Sequence, residues 1–423
     1  MVKVKASNIV KEEFRKIYHR DPELVTSAPG RLDFLNTHQD YKGLPVVSIA
    51  INKRIYIAVS KSDSESTVYS VNLCKESMEC VDRFDPEHTT LMGNGWFGDY
   101  IRSVVKTLRD RGIGVGGFHM LIYSEIPIGS GLASSAALQV SAIKALAEIH
   151  GIELTQSEIA ELAYISEHDV MGIPCGRLDQ YGSAMGGITL IETRPPFKTK
   201  TYRDTWFKLV AINSGIKHST GMIHPVRIKE LMDGIRELLF SDKIPRRIKE
   251  LLHEDIYRTR WNEINYDEIA PFLDSISTVS KKRIAFTLKM HYSTVLALNL
   301  LEKPSFENIH VIEEFLIKEC PLCLNEASRT NNRALVALSG IVNYQHVLLR
   351  DLYDVSLPEL EEIRRKAIDA GSLGVKISGA GLGGALLAIV DSYEIGNRVI
   401  EEVREISKGA WLVDVEEGVR VDS

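Results

Sequence analysis

Apolar and polar positions alternate with two different periods along this chain, and the switches between them outline its elements. Ile9, Phe14, Ile17 and Tyr18 recur at helical spacing, so the pattern predicts an amphipathic helix capped by Asn8. The runs VVSIAINKRIYIAVS (46–60) and STVYSVNL (66–73) read as strands. Trp96 to Arg109 reads as a helix ended by Gly112, and GFHMLIYSEIP follows as a strand. A glycine loop then opens the helix SAALQVSAIKALAEIH, stopped by Gly151. Thr155 and Glu158 have the spacing of a capping box for a helix continuing through ELAYISEHDVM. GGITLIET and WFKLVAINS return to strand character. From Pro225 to about Leu301, and again over 306–370, the pattern is helical, before GVKISGAG, ALLAIVD and WLVDVE close the chain as strands. The expected class is α+β. Helices dominate after the strand at 206–213, which places an expected boundary between a domain of residues 1–205 and one of residues 206–423.

Three stretches are rich in glycine, and only one has the order of elements that phosphate binding requires. GIGVGG (112–117) follows a helix and precedes a strand, and GAGLGG (379–384) lies between two apolar strand-like runs, so neither is a dinucleotide fingerprint. PIGSGLASSAAL (127–138) runs from strand through glycine loop into helix. Gly129 and Gly131 let backbone approach a ligand, and the helix start offers free N–H groups and the positive end of its dipole. Ser130, Ser134 and Ser135 add hydroxyls suited to phosphate oxygens or a magnesium ion. No G-x-x-x-x-G-K-[ST] occurs, so this is not a P-loop. HRD at 19–21 lacks the Asn that a protein-kinase catalytic loop needs.

Two carboxylates stand out. Glu167 shares a helical face with Ile159 and Ala163, and a carboxylate there requires a partner, either an arginine or a metal. Asp179, twelve residues on in GIPCGRLDQYG, reads either as an Asx-turn residue or as a base beside backbone that glycines bring near a ligand. In the stretch APGRLDFLNTHQDY (28–41), Arg31, Asp33, His38 and Asp40 crowd into an otherwise apolar strand and loop.

Composition narrows the partners. The 423 residues carry a formal charge of −6, with basic residues spread rather than massed, which argues against nucleic acid. No apolar run reaches the roughly 18 residues of a membrane span, and the N-terminus lacks the apolar core of a signal peptide. The cysteines (Cys74, Cys80, Cys175, Cys320, Cys323) are few and odd in number, so reduced thiols and a cytoplasmic location are expected. CPLC at 320–323 has no second pair with which to hold zinc.

Taken together, APGRLDFLNTHQDYKGLPVV, PIGSGLASSAA and KISGAGLGGA resemble the three ordered motifs of the GHMP kinases. Within that superfamily the chain resembles galactokinases, through EHDVMGIPCGRLDQYGS (167–183), NSGIKHSTGMIHPVR (213–227) and LRDLYDVSLPEL (349–360). The resemblance implies a two-domain fold with its active site in the cleft between the domains. It implies an ATP-dependent sugar 1-kinase, magnesium as cofactor, ATP and a small sugar as partners, and a monomer or homodimer. Gly129, Ser130, Gly131, Leu132, Ala133, Ser134, Ser135 and Ala136 would wrap the ATP phosphates, supported by Gly379, Ala380 and Gly381, with Trp96 at the adenine. Ser135 and Glu167 would hold magnesium, Asp179 would take the proton of the anomeric hydroxyl, and Arg31 would stabilise Asp179 and the developing charge. Thr37, His38, Asp40, Gly176 and His224 would contact the sugar.

The chain departs from that family at the sugar. Asn36-Thr37-His38 stands where galactokinases carry Gly-Glu-His, Asp33 replaces a common Asn, and His224 occupies the place of a tyrosine. An intact catalytic set beside an altered sugar set implies galactose or a related sugar, with galacturonate, arabinose and N-acetylgalactosamine among the expectations. A catalytically inactive sugar sensor and a kinase for a non-sugar alcohol are the competing readings.

Overall fold

The computed structural model describes residues 6–203, 205–216 and 220–422, and the side chains of residues 220–223 are left aside. Two compact units divide the chain. The first comprises Met1–Arg31, Ile49–Thr189 and Val415–Ser423, and the second Leu32–Ser48 and Leu190–Asp414. The expected single cut after residue 205 is therefore corrected. The cause is local: the strands Leu24–Leu35 and Val46–Lys61 begin or end in one unit and continue in the other, so the segment between them is a loan to the second unit.

In the first unit the strands run in the order Arg420–Val421, Leu24–Leu35, Val46–Lys61, Phe118–Ser124, Ser66–Ser70, Val81–Phe84. Phe118–Ser124 pairs antiparallel with Val46–Lys61 and parallel with Ser66–Ser70. Helix Ala6–Tyr18 covers part of this sheet with Ala6, Val10 and Phe14, packed with Val25, Ala58 and Leu121. The predicted face shifts as a result: Asn8 lies inside the helix rather than capping it, and Ile17 points outward. The helices Asp99–Asp110, Ser134–Ile149 and Gln156–Ile165 form where the pattern places them, and the Thr155–Glu158 capping box closes in both directions.

The second unit holds a four-stranded antiparallel sheet in the order Gly409–Val413, Lys208–Asn213, Ala385–Val390, Gly374–Ser378. Its helices gather around a core that includes Leu231, Ile235, Trp261, Ile284 and Leu288. Helix Thr278–Glu302 is long and apolar enough to cross a membrane by composition, yet 61% of its apolar window is buried inside the protein. It is a core helix by that measure.

Cysteine usage differs from expectation. Cys74–Cys80 and Cys320–Cys323 are disulfide-bonded, and Cys175 takes part in neither bridge. Each pair is close in sequence, so a short turn suffices to bring the thiols together.

Candidate active site

The glycine loop is built around left-handed backbone. Gly129 and Gly131 sit at φ 68° and 76°, and Ala133, at 58°, ends the loop where helix Ser134–Ile149 begins. Glycine takes that conformation without the Cβ penalty that other residues carry. On the neighbouring strand, a Cβ at Gly30 would lie 2.7 Å from the carbonyl oxygen of Leu132, so only glycine lets strand and loop approach this closely. The Arg31 N–H then bonds that same carbonyl at 3.1 Å. The Ser130 hydroxyl is buried with no hydrogen-bond partner, a group that an incoming phosphate oxygen would satisfy.

Arg31, buried at the end of the first unit's strand, ties this loop to Asp179. Its Nη1 donates to Gly131 O at 2.8 Å, while Nε and Nη2 both donate to Asp179 Oδ1 at 2.8 and 2.6 Å. Asp179 lies in the first turn of helix Leu178–Met185, so the Asx-turn alternative is replaced by a carboxylate at a helix start. The next residue, Gln180, is fully buried and donates from Nε2 to Glu167 Oε2 at 2.7 Å. Sequence reasoning passed over Gln180, although a polar residue adjoining a candidate base was the available signal.

Glu167 sits in a π-helical turn, Ser166–Val170, that continues helix Gln156–Ile165. Such turns widen a helix and re-aim a side chain. The carboxyl is 6% exposed, and burial first, then the charge of Asp179, pushes its pKa up to about 6. Hydrogen bonds from Ser135 and Gln180 act in the opposite direction. A desolvated carboxylate that is repelled by a second one is a fit for a cation, and Ser135 supplies a neutral oxygen beside it. Among the described residues no three His, Cys, Asp or Glu side chains form a metal cage. A two-ligand set suits magnesium, which keeps waters and phosphate oxygens in its coordination shell. Tyr100 is also brought near, since burial and then the Glu167 charge raise its pKa. Trp96 lies just ahead of helix Asp99–Asp110 against Phe97, with its indole N–H buried and unbonded. Gly176 lies in the turn leading to Asp179.

The residues expected at the sugar belong to the second unit. His38 Nε2 lies 3.0 Å from Ala380 O, and a carbonyl can only accept, so Nε2 carries the proton. Its Nδ1 then accepts from the Tyr41 hydroxyl at 3.3 Å. Burial, followed by the charge of His224, holds the His38 pKa well below the usual range, so the ring is neutral. Both nitrogens of His38 therefore have protein partners. The half-buried His224 packs its ring at a tilt of 39° against Tyr41 and edge-on to His38, with centroids 5.1 and 5.4 Å away. Asp40 Oδ1 accepts from the Tyr41 N–H at 3.0 Å. Gly379, Ala380 and Gly381 form the turn between strands Gly374–Ser378 and Ala385–Val390, and this turn meets His38. Residues 217–219 of the 213–227 segment lie outside the described residues.

Thr37 is buried between two protein partners. It is 1% exposed, donates to Asp33 Oδ1 at 3.0 Å, and accepts from Lys376 Nζ at 2.6 Å. Its hydroxyl hydrogen goes to Asp33, and one of its two acceptor sites is taken by Lys376. Lys376 was also missed by sequence reasoning. A lysine in the middle of an apolar strand, GVKIS, was the signal. Around Thr37, both Asn36 and His38 hold φ of 65°. Such conformations cost non-glycine residues on the order of 1–3 kcal/mol each and persist only where surroundings enforce them.

Comparison with known proteins agrees with this architecture. Residues 99–187 match the model of the GHMP kinases N terminal domain, residues 12–61 the galactokinase galactose-binding signature, and residues 328–408 the GHMP kinases C terminal model. A galactokinase of Chloroflexus aggregans is 27% identical over 387 residues, covering 90% of this chain and 87% of that protein. A galactokinase of Pyrococcus furiosus is 23% identical, covering 92% and 95%. Among solved structures, Lactococcus lactis galactokinase complexed with galactose superposes with a TM-score of 0.76 at 20% identity, over 98% of this chain and 100% of that one. Methanococcus jannaschii mevalonate kinase gives 0.60 at 16% identity, over 93% and 98%. The chain thus carries matches to both the N-terminal and the C-terminal domain of the GHMP kinases, together with the galactokinase galactose-binding signature. It is a galactokinase-like sugar kinase, which implies the use of ATP.

Proposed function

We propose that the protein transfers the γ-phosphate of ATP to the anomeric hydroxyl of galactose or a closely related sugar. The observation that carries this reading is the convergence of Arg31, Asp179, Glu167 and the glycine loop within one unit. Phosphoryl transfer depends on positioning and charge neutralisation, and this set supplies both. Backbone N–H groups at the start of helix Ser134–Ile149 face the phosphates. Ser135 and Glu167 would hold magnesium, whose charge offsets that of the β- and γ-phosphates. Asp179 takes the proton as the sugar oxygen bonds to the γ-phosphorus, and the bond from that phosphorus to the bridging oxygen breaks to release ADP. Arg31 holds Asp179 in orientation through its two hydrogen bonds to Oδ1. Asp40 and His224 are the side chains assigned to the sugar. The test is an ADP-release screen over galactose, galacturonate, arabinose, N-acetylgalactosamine, glucose and several polyols. Stimulation by a galactose-related sugar supports the reading. Binding of ATP and sugar without turnover supports a sensor, and stimulation by a polyol alone supports a kinase for a non-sugar alcohol.

A further inference from the structure

We infer that Lys376 and Thr37 position the substrate turn, and that position 37 does not meet the substrate. The inference rests on the sugar-kinase reading only for its kinetic arm. Three buried groups form a chain of defined polarity: the Lys376 ammonium donates to the Thr37 hydroxyl, which donates to the Asp33 carboxylate. Lys376 is 0% exposed and also donates to Asp33 O at 3.3 Å and Ile377 O at 3.0 Å. The Asp33 N–H bonds Ser378 Oγ at 2.8 Å, so strand Gly374–Ser378 grips the first motif at two points. That strand is itself pinned, because Asn343 accepts from Val375 N and donates to Leu373 O, both at 3.0 Å.

What this chain restrains is the left-handed pair Asn36 and His38, on either side of Thr37. Two non-glycine residues at φ 65° need an anchor between them, and the Thr37 side chain is one. His38, so held, presents Nε2 to Ala380 at the next turn of the same strand pair. Two of the positions where this chain departs from galactokinases, Asp33 and Thr37, are thus hydrogen-bonded to each other. The carboxylate expected at 37 stands instead at 33, still linked to Lys376 through the threonine. This is an exchange of position inside a buried ionic group, and it leaves the substrate face out of account.

The experiment compares wild type with Thr37→Ser, Thr37→Val, Asp33→Asn, Thr37→Glu and the double variant Asp33→Asn/Thr37→Glu. Hydrogen–deuterium exchange of residues 36–42 should rise at least tenfold in Thr37→Val, return to wild type in Thr37→Ser, and leave the loop 127–136 unchanged. The double variant should melt above both of its single parents, because it restores one carboxylate to one lysine. With galactose as probe, Thr37→Val should raise KM for the sugar about tenfold and leave KM for ATP within twofold. The preference for galactose over 6-deoxygalactose should stay as in wild type. Unchanged exchange in Thr37→Val, additive melting in the double variant, or a shift in that sugar preference of tenfold or more would each overturn the inference. If wild type phosphorylates no sugar, the functional reading fails, while exchange and melting still decide this one.

Discussion

Two nitrogens of Arg31, Nε and Nη2, converge on a single oxygen of Asp179, Oδ1, at 2.8 and 2.6 Å. No hydrogen bond from another described residue reaches Oδ2, so the geometry holds one oxygen and offers the other. The guanidinium's third arm reaches the Gly131 carbonyl at 2.8 Å. One side chain thereby sets Asp179 and the glycine loop in a common frame. A lysine could not make this fork.

Asp179→Asn keeps the shape of the group and removes its charge. Loss of a general base costs about 10² to 10⁴ in rate, so kcat should fall by that factor while calorimetric ATP affinity stays within threefold. A variant retaining more than a tenth of wild-type kcat would reduce Asp179 to an orienting residue.

Glu167 predicts a pH dependence of stability. Its folded pKa is pushed up to about 6, against an ordinary value of 4.5. Between those values the folded protein keeps a proton that the unfolded chain has released. Stability therefore falls as pH rises through that window, by about 2 kcal/mol, because each pH unit between the two values is worth about 1.36 kcal/mol. Glu167→Gln has no such proton to lose. Urea unfolding at pH 4.5, 5.5 and 7 should show the decline in wild type and a shallower one in the variant. Identical slopes would contradict the assignment.

Gly30 tests the packing of strand against loop. An added methyl would meet Leu132 O at 2.7 Å and Ile126 Cδ1 at 3.0 Å. Gly30→Ala should lower stability by about 1–3 kcal/mol, the usual penalty of overpacking, and weaken ATP binding several-fold as the loop shifts. Equilibrium unfolding and ATP titration report the two effects separately. Loss of stability with wild-type ATP affinity would show that the loop absorbs the methyl elsewhere.

Much of this architecture was legible in the chain. Strand, glycine loop and helix at 118–149 follow from periodicity and from glycines that alone suit left-handed backbone. Arg31 and Glu167 stood out as polar groups in apolar surroundings and Asp179 through the glycines beside it, while the roles expected of them came from the resemblance to the GHMP kinases. The interleaving of the two units was hidden, since a strand that passes from one unit to another keeps the same alternation throughout. The fate of Thr37 was hidden for a different reason. That its hydroxyl meets a lysine 339 positions away is decided by tertiary contact, and local sequence carries no trace of it. The disulfides were obscured by the small number of cysteines, which looked like that of a reduced protein.

The central claim is that phosphate reaches the anomeric oxygen of a sugar. Its most direct measurement is a phosphorus-31 spectrum, with proton coupling, of the product formed from ATP and the best sugar of the screen. The account predicts a sugar phosphate whose phosphorus couples to the anomeric proton, and a sugar that has lost its reducing end. A phosphate on any other carbon, or ADP and free phosphate with the sugar unchanged, would contradict it.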